Sequence, residues 1–443
     1  MEKKYKSGSC SKHVEIVTWS VKKPTKVVDL FLGRPAFPAA AEAVATEVLA
    51  AVREQGDAAV LAAAKKFDGA VLKVGELRVT DTELRAAVKS VPAQTKRAVQ
   101  EAHDRVMTFA KAGLREPWYI QTPEGGYTGE FYSPMERVGI YVPGGTAPLA
   151  STAIMTATLA KAAGVGEIVA CTPCGKDKSL NPVLLYALKV AGATEIYRVG
   201  GIQSIGMMAF GTKTVKAVQK IAGPGNAYVT AAKRQVYGHV AIDQVAGPSE
   251  IAVLADASAN PAWVAADLLS QAEHGSGHEK ALLITDSAVL AQSVCDELSW
   301  QAGKLPRAAM VERVMEAGGI LLVVVPDLKQ GMELINRFAP EHLEIMTKHA
   351  RRMVNDVRAA GAVFVGEWTP ESVGDFVAGP SHVLPTGGAA RMFNGLTADE
   401  FRRRHSFVEF TREDLVKTCK TIETFAEVEG LAAHGRAATI RFS

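Results

Sequence analysis

The chain has 443 residues, 48% of them hydrophobic and 22% charged, and its 50 basic and 47 acidic side chains leave a formal net charge of +3. This length predicts at least two domains with substantial cores, and the small net charge without an aromatic-rich basic run argues against a nucleic-acid partner. Five scattered cysteines, no leader-like start and no uninterrupted apolar run of roughly 18 residues predict a soluble cytoplasmic protein.

Helices are predicted first along the chain. Residues 1–35 are too few to form a core, so we expect them to pack elsewhere, with a second copy of the chain as one candidate. Residues 36–111 are rich in Ala, Glu, Lys and Arg, and apolar side chains recur every three or four positions through residues 43–53. Gly56 and Gly69 mark the expected helix ends.

Two series of short β-branched runs follow, each alternating with helical segments. This alternation predicts two parallel sheets of similar build, covered by helices on both faces. The predicted strands begin at Arg137, Glu167, Glu195, Val218 and His239 in the first series, and at Glu250, Ala281, Gly319, Leu343 and Ala362 in the second. Beyond Phe393 the chain is strongly charged, and we predict a helical run and a short strand-like tail.

Glycine-rich turns occur three times in the first series. They are Pro143-Gly-Gly-Thr146, Gly200-Gly201 and Gly223-Pro-Gly-Asn226. Glycine permits close approach of a ligand to the backbone, and a following helix offers amide groups to a phosphate. None of the turns has the Gly-x-Gly-x-x-Gly spacing, and no acidic residue ends the second strand. Nucleotide binding and plain tight turns therefore both stay open.

Gln271 and His274 are candidate metal ligands, because a spacing of three residues places both on one face of a predicted helix. A polar helix face is the alternative interpretation. If Asp375 and His434 converge on the same point, the four side chains offer two nitrogen and two oxygen ligands, which suits zinc. Only one of the four is anionic, so the ion would remain a strong Lewis acid toward an alcohol oxygen.

The adjacent pair Glu341 and His342 is the candidate for proton transfer. Histidine titrates near neutral pH and can accept a hydroxyl proton, and a carboxylate can activate water. The alternative is a capping glutamate beside a packed histidine. We interpret Arg402-Arg-Arg-His405 as a solvated or interfacial charge run, and Cys171-Thr-Pro-Cys174 as a strand end rather than a redox site.

From about Asp68 to His434 the chain resembles the histidinol dehydrogenase family. The motifs that carry the resemblance are Val138-Gly-Ile-Tyr-Val-Pro-Gly-Gly-Thr, Val199-Gly-Gly-Ile-Gln, Lys220-Ile-Ala-Gly-Pro-Gly-Asn, Ala246-Gly-Pro-Ser-Glu-Ile, Asp267-Leu-Leu-Ser-Gln-Ala-Glu-His-Gly, Ala339-Pro-Glu-His-Leu and His382-Val-Leu-Pro-Thr. The resemblance implies zinc-assisted oxidation of L-histidinol to L-histidine through bound L-histidinaldehyde, in histidine biosynthesis. NAD would accept a hydride twice in this four-electron reaction.

The resemblance also implies roles for individual side chains. Zinc, one per subunit, is expected at Gln271, His274, Asp375 and, across the interface of a domain-swapped homodimer, His434. NAD is expected at Tyr141, Gln203 and Asn226. The substrate is expected at Ser151, Ser249, His382 and Glu429, together with His342 and the zinc ligands. His342 would take the hydroxyl proton, and Glu341 would help water add to the aldehyde.

The implied fold is α/β, with two similar Rossmann-like parallel-sheet domains that are incomplete and lack the glycine fingerprint. Small N- and C-terminal extensions would pack in the domain-swapped dimer. The expected boundaries are residues 1–35 for an N-terminal arm, 36–136 with 250–392 for the domain that carries most metal and catalytic residues, 137–249 for the NAD-binding domain, and 393–443 for a C-terminal helical dimerisation segment.

Three departures from the family pattern bear on the pocket. Ser381 stands where Asn is common, Met392-Phe-Asn-Gly-Leu396 differs from a usual Ser-Ser-Gly-Leu, and Gly275 is followed by Ser-Gly-His278. The second hypothesis is therefore the same chemistry on another small polar primary alcohol, such as a sulfopropanediol. Glu429 favours histidinol, because a carboxylate suits an imidazole N–H and repels a sulfonate. A non-catalytic metabolite-binding protein and a zinc hydrolase are further alternatives.

Overall fold

The computed structural model describes residues 13–33, 38–144, 149–245 and 247–443. Among these residues the strands form a six-stranded sheet, a five-stranded sheet and a three-stranded sheet. The two larger sheets are parallel throughout, and the smallest is antiparallel. The predicted class, α/β with two parallel sheets, is confirmed.

The described part of the N-terminal arm forms strand β1 (Glu15–Thr18) and helix α1 (Lys26–Leu32). Strand β1 pairs in parallel with residues 321–324 at one edge of the six-stranded sheet. Trp19, Val28 and Phe31 are buried in the core beneath that sheet. The described part of the arm therefore packs on its own chain, because its few apolar residues complete an existing core.

The predicted helical region contains α2 (Ala39–Gln55), α3 (Asp57–Ala63), a π-helical turn (Ala64–Asp68), α4 (Asp81–Ser90) and α5 (Ala93–Ala112). Helix α2 and the π-helical turn end at Gly56 and Gly69, which have φ angles of 57° and 67°. Glycine adopts such angles without a steric penalty, so both predicted stops are confirmed. An antiparallel hairpin follows, formed by β2 (Trp118–Gln121) and β3 (Tyr127–Pro134).

The first βα series builds the five-stranded sheet. Its elements are β4 (Arg137–Tyr141), α6 (Ala150–Ala162), β5 (Glu167–Cys171), α7 (Pro182–Ala191), β6 (Glu195–Tyr197), α8 (Gly201–Phe210), β7 (Lys220–Ala222), α9 (Ala227–Val236) and β8 (Ala241–Ile242). The strands lie in the order β6-β5-β4-β7-β8. Strand β4 is buried along its whole length, as a central strand covered on both faces must be.

The second series builds the six-stranded sheet. Its elements are β9 (Glu250–Ala255), α10 (Pro261–Ala272), β10 (Lys280–Thr285), α11 (Ala288–Ala302), α12 (Ala308–Glu316), β11 (Ile320–Val324), α13 (Leu328–Phe338), β12 (His342–Met346), α14 (Ala350–Met353), β13 (Ala362–Val365) and α15 (Glu371–Phe376). Its order is β1-β11-β10-β9-β12-β13. When the strands of each series are numbered from its first strand and β1 is left out, both sheets have the order 3-2-1-4-5. The two sheets are therefore built alike, as predicted.

The C-terminal segment contains strand β14 (Arg402–Glu409) and helices α16 (Arg412–Val428) and α17 (Ala432–Thr439). The strand lies in the charged run and pairs with β3, whereas the predicted strand-like tail is helical and ends in a 3-10 turn. Charged side chains suit β14 because its faces are largely open, and Arg404 pairs with Glu130 across the sheet at 2.8 Å.

The helices of residues 39–112 pack on the five-stranded sheet. Val52 of α2 shares a core with Ile205 and Met208, and Val106 of α5 shares another with Ile140. We expected residues 36–136 to group with residues 250–392, and this packing corrects that grouping. A helical pattern shows that one face is buried but does not show which sheet will cover it.

Candidate active site

The site lies between the carboxyl edge of the five-stranded sheet and the amino edge of the six-stranded sheet. A loop after α15 connects these edges. Ser381 donates its hydroxyl hydrogen to the carbonyl of Met155 on α6 at 2.9 Å, and the carbonyl of Leu384 accepts from Gln244 at 2.6 Å. On the other side, the Gly387 amide donates to the carboxylate of Glu250, the first residue of β9, at 3.0 Å.

His342 begins β12 and is 4% exposed. Its Nδ1 lies 3.1 Å from the backbone carbonyl of Glu250, so this nitrogen carries a hydrogen and donates it. The other ring nitrogen, Nε2, has no hydrogen-bond partner among the described residues. Burial lowers the pKa of His342, which keeps the ring neutral and Nε2 able to accept a proton.

Glu341 precedes this strand and is also buried. One of its carboxyl oxygens accepts from the Glu250 amide at 3.0 Å and lies 3.8 Å from His342 Nδ1. Burial, followed by the neighbouring charge of Glu250, raises the pKa of Glu341 well above its usual range. The group can therefore hold or release a proton at pH values where an exposed glutamate is always ionised.

Two carboxyl groups on α15 face His342. Glu371 and Asp375 are four residues apart, so they share one helix face, and their oxygens lie 3.8 Å and 3.9 Å from His342 Nε2. Ligand atoms of these three side chains all fall within 4.8 Å of one another, close enough to hold a metal ion. Sequence reasoning found Asp375 but missed Glu371, although the four-residue spacing was a usable signal.

Gln271, near the end of α10, and His274, just after it, are the two predicted zinc ligands of this segment, and the end of α10 meets this group where the Ser270 hydroxyl donates to Glu371 at 3.0 Å. Gln271 is fully buried, and neither atom of its amide has a hydrogen-bond partner among the described residues. His274 is exposed, and repulsion from it adds to burial in lowering the pKa of both His342 and His382. An unpartnered buried amide oxygen, an imidazole and a carboxylate are ligand types that fit zinc.

His434 and Glu429 are not brought to this group within one chain. Both are exposed, His434 on α17 and Glu429 at the end of α16. No contact found in the described residues joins either side chain to His342, Asp375 or Gln271.

The three predicted NAD residues lie at the carboxyl edge of the five-stranded sheet. Tyr141 ends β4, and its hydroxyl accepts from the Gly201 amide at 3.4 Å, while burial raises its pKa to about 12. Gln203 donates to Asp68 at 3.0 Å, and its buried carbonyl oxygen has no partner among the described residues. Asn226 is exposed and caps α9 with its side-chain oxygen.

The glycine turns at this edge have packing reasons of their own. A Cβ atom on Gly200 would lie 2.4 Å from the Pro173 side chain, and one on Gly223 would lie 2.0 Å from the Tyr141 carbonyl oxygen. Part of the turn Pro143-Gly-Gly-Thr146 lies outside the described residues. The interpretation as tight turns is thus supported and remains compatible with a ligand above them.

Three predicted substrate residues lie around the same opening. Ser151 is in the first turn of α6 and Ser249 precedes β9, both half-buried. His382 has Nδ1 3.7 Å from Asp375 and Nε2 3.3 Å from the Thr152 hydroxyl. Burial, followed by the charge of His342, lowers the pKa of His382 to about 4.

The two cysteines of Cys171-Thr-Pro-Cys174 are free and buried, and β5 ends at Cys171. Burial raises the pKa of both thiols, which disfavours the reactive thiolate. These observations support the interpretation of this motif as a strand end.

None of the helices in the described part of the chain is both long and apolar enough to cross a membrane.

Two parallel sheets with a buried Glu-His pair and metal-ligand side chains between them define an α/β enzyme with a candidate metal centre. A family model described as histidinol dehydrogenase matches residues 35–442. The chain is 44% identical to the histidinol dehydrogenase of a Synechococcus species, over 90% of this chain and 92% of that protein, and 41% identical to that of Vibrio parahaemolyticus, over 93% and 95%. A crystal structure of histidinol dehydrogenase from Elizabethkingia anophelis superposes with a TM-score of 0.91 and 35% identity, covering 97% of this chain and 98% of the other.

The chain belongs to the histidinol dehydrogenase family. It is accordingly a zinc- and NAD-dependent oxidoreductase that oxidises histidinol in histidine biosynthesis. The similarity to these relatives does not favour the alternative of a sulfopropanediol or another polar alcohol.

Proposed function

We propose that His342 and Glu341 carry the proton transfers in the four-electron oxidation of L-histidinol to L-histidine. The observation that carries this proposal is the state of the His342 ring: Nδ1 donates to the Glu250 carbonyl, whereas Nε2 has no hydrogen-bond partner among the described residues and lies 3.9 Å from Asp375. His342 takes the proton of the substrate hydroxyl at Nε2, because a neutral buried imidazole is an effective base near neutral pH.

Glu341 serves the second half of the reaction. Its raised pKa allows the carboxyl group to exchange a proton with a water molecule that adds to the bound aldehyde. The hydrogen bond from the Glu250 amide holds one carboxyl oxygen of Glu341, and the other oxygen is the one that would exchange the proton. Retaining L-histidinaldehyde in a closed site protects this reactive compound from side reactions.

We infer that Gln271, His274, Asp375 and a fourth residue, His434 of a second copy, hold the zinc ion. The unpartnered amide of Gln271 supports this set, since a buried polar group without a bond otherwise costs free energy. When bound, zinc supplies a Lewis acid that withdraws charge from the alcohol oxygen, and NAD accepts the hydride. The group His342, Glu371 and Asp375 is the alternative metal set, but a metal on Nε2 would remove the base.

NAD is proposed to bind at the carboxyl edge of the five-stranded sheet, at Tyr141, Gln203 and Asn226. The strand order 3-2-1-4-5 supports a Rossmann-like assignment, because it matches five of the six positions of a dinucleotide-binding sheet. The free carbonyl oxygen of Gln203 is an acceptor that a carboxamide or ribose hydroxyl satisfies. Tyr141 remains protonated at neutral pH and can donate through its hydroxyl.

A homodimer with shared sites is the proposed assembly, and the cytoplasm the expected compartment. Glu429 and His434 belong to a segment whose apolar side chains Phe425, Val428 and Leu431 are 63%, 79% and 41% exposed. Apolar surface of this kind favours coverage by a partner, and a second copy would use the same segment in return. Exchange of this segment would bring Glu429 to the substrate imidazole and His434 to the metal of the other subunit.

The substrate pocket is proposed to include Ser151, Ser249 and His382. Ser381 stands where Asn is common in the family, and its side chain is held by two hydrogen bonds. Its hydroxyl donates to the Met155 carbonyl and accepts from the Val383 amide at 3.2 Å. Met392 and Phe393 are 71% and 54% exposed, so they do not line the buried part of the site.

The test is the number of NADH molecules formed per substrate by the zinc-loaded enzyme, with L-histidinol, dihydroxypropanesulfonate and simple alcohols in parallel. We expect about two NADH per L-histidinol and loss of turnover after chelation. Turnover of another alcohol without histidinol would contradict the substrate. If the E341Q and H342N variants lose turnover but still bind histidinol, the alternative of a non-catalytic binding protein is excluded.

A further inference from the structure

Three carboxyl groups adjoin the candidate metal centre, and one of them, Glu371, also faces His342. Glu344 on β12 and Glu371 on α15 are 1% and 3% exposed, and Asp267 on α10 is half-buried. Within the described residues, no lysine or arginine forms an ion pair with Asp267, Glu344 or Glu371. Burying carboxyl groups without a cation is costly, so their position calls for a reason beyond packing.

Spacing along the chain links each carboxyl group to one residue of the site. Glu344 is two residues from His342 and therefore on the same face of β12. Glu371 precedes Asp375 by four residues on α15. Asp267 precedes Gln271 by four residues on α10, so each element carries one site residue and one further carboxyl group on the same face.

These carboxyl groups bind the three elements to one another. Glu344 Oε1 accepts from the Glu371 amide, at the start of α15, at 2.7 Å. Glu371 Oε2 accepts from the hydroxyl of Ser270 on α10 at 3.0 Å. The remaining Glu344 oxygen has no hydrogen-bond partner among the described residues, and burial, followed by the neighbouring charge of Asp267, raises the pKa of Glu344.

We propose that Glu344, acting with Asp267 and Glu371, is a positioning residue that holds α10 and α15 against β12. This inference rests on the proposed zinc ligands. The bonds set the spacing between Gln271, Asp375 and the base His342 without touching the substrate. Residues that orient ligands from behind typically change metal affinity by 10- to 100-fold when they are removed, so the effect is measurable.

The test compares E344A and E344Q in the full-length protein, with the zinc dissociation constant measured by competition with a chromogenic chelator. E344A removes the acceptor for the Glu371 amide, and we expect zinc binding to weaken by about 10- to 100-fold. E344Q keeps an oxygen for that amide and gives Asp267 an N–H donor, so its zinc affinity stays close to wild type. Unchanged zinc affinity in E344A, or an equal loss in E344Q, would overturn the proposal.

Q271A is measured in the same assay to separate the two proposals. If Q271A leaves zinc affinity unchanged, the ligand set is wrong. If Q271A weakens binding and E344A does not, the ligand set stands and the positioning role of Glu344 is wrong. Thermal unfolding of the metal-free proteins reports whether each variant folds. Should E344A not fold, S270A removes only the bond to Glu371, and zinc affinity unchanged in S270A would then overturn the proposal.

Discussion

In His342, one hydrogen bond to the backbone determines which ring nitrogen carries the hydrogen. The Glu250 carbonyl fixes the hydrogen on Nδ1, and burial disfavours the charged ring, so a neutral Nε2 faces the site. The adjacency of Glu341 and His342 made this pair predictable from sequence. Glu371 and Glu344 were not predicted, because their proximity to His342 depends on how α15 packs on β12.

H342N should lower kcat for NADH formation from L-histidinol by about 10²- to 10⁴-fold, the usual contribution of a general base. Asparagine retains a donor for the Glu250 carbonyl but offers no basic nitrogen. H349N is the matched control, since His349 is exposed beyond the opposite end of β12. A kcat for H342N within a few-fold of wild type would rule out His342 as the base.

Q203A should raise KM for NAD by roughly tenfold, which corresponds to the loss of about one hydrogen bond, and leave KM for histidinol nearly unchanged. The physical reason is the buried, unpartnered oxygen of Gln203 at the proposed cofactor edge. Steady-state kinetics with each substrate varied in turn measure both constants. Q292A, an exposed glutamine on α11, is the control. Equal changes in both KM values would contradict a cofactor role.

At the scale of elements, the ten strands from β4 to β13 were predictable because each is an apolar run between turn residues. Strands β2, β3 and β14 were missed, since their side chains are mostly polar or exposed and carry no periodic pattern. The placement of α2 was also beyond prediction. Its apolar face requires a partner, but only the fold shows that Val52 meets Ile205 and Met208.

The amino edge of the five-stranded sheet depends on an ion-pair network. Arg137 begins β4 and bonds to Glu167 and Glu195, which begin β5 and β6. The Arg137 hydrogen bond lowers the pKa of Glu195 to about 2, from 4.5. A lowered folded-state pKa stabilises the fold above the unfolded pKa, and this stabilisation is lost as pH falls from about 4.5 toward 2.

E195Q should therefore unfold at a lower urea concentration than wild type at pH 7, and the gap between the two midpoints should shrink as pH is lowered below about 4.5. Urea titrations at several pH values measure this directly. E316Q, at an exposed position at the end of α12, controls for the loss of one carboxylate. A gap that stays constant down to pH 3 would show that the Glu195 charge does not stabilise the sheet.

For the whole molecule, the central question is whether each site draws residues from two chains. Purified mixed dimers of H434N and Q271A chains should regain one intact site and about half the wild-type kcat per dimer. If each site takes Gln271 from one chain and His434 from the other, both substitutions fall in one site and the second site has neither. The two parent homodimers should remain inactive in the same NADH assay. An inactive mixed dimer would mean that Gln271 and His434 serve a site within one chain.

The candidate site lies between the carboxyl edge of the five-stranded sheet and the amino edge of the six-stranded sheet. The two sheets therefore contribute opposite edges to it. In the first half Arg137, Glu167 and Glu195 hold the amino edge together, and the proposed NAD residues lie at the opposite edge. In the second half the amino edge belongs to the site, with Glu250 and His342 at the starts of β9 and β12. The two sheets thus share a strand order but present opposite edges to the candidate site. At the carboxyl edge of the second sheet, Lys348 and Trp368 instead line a separate cavity, which contains none of the candidate site residues.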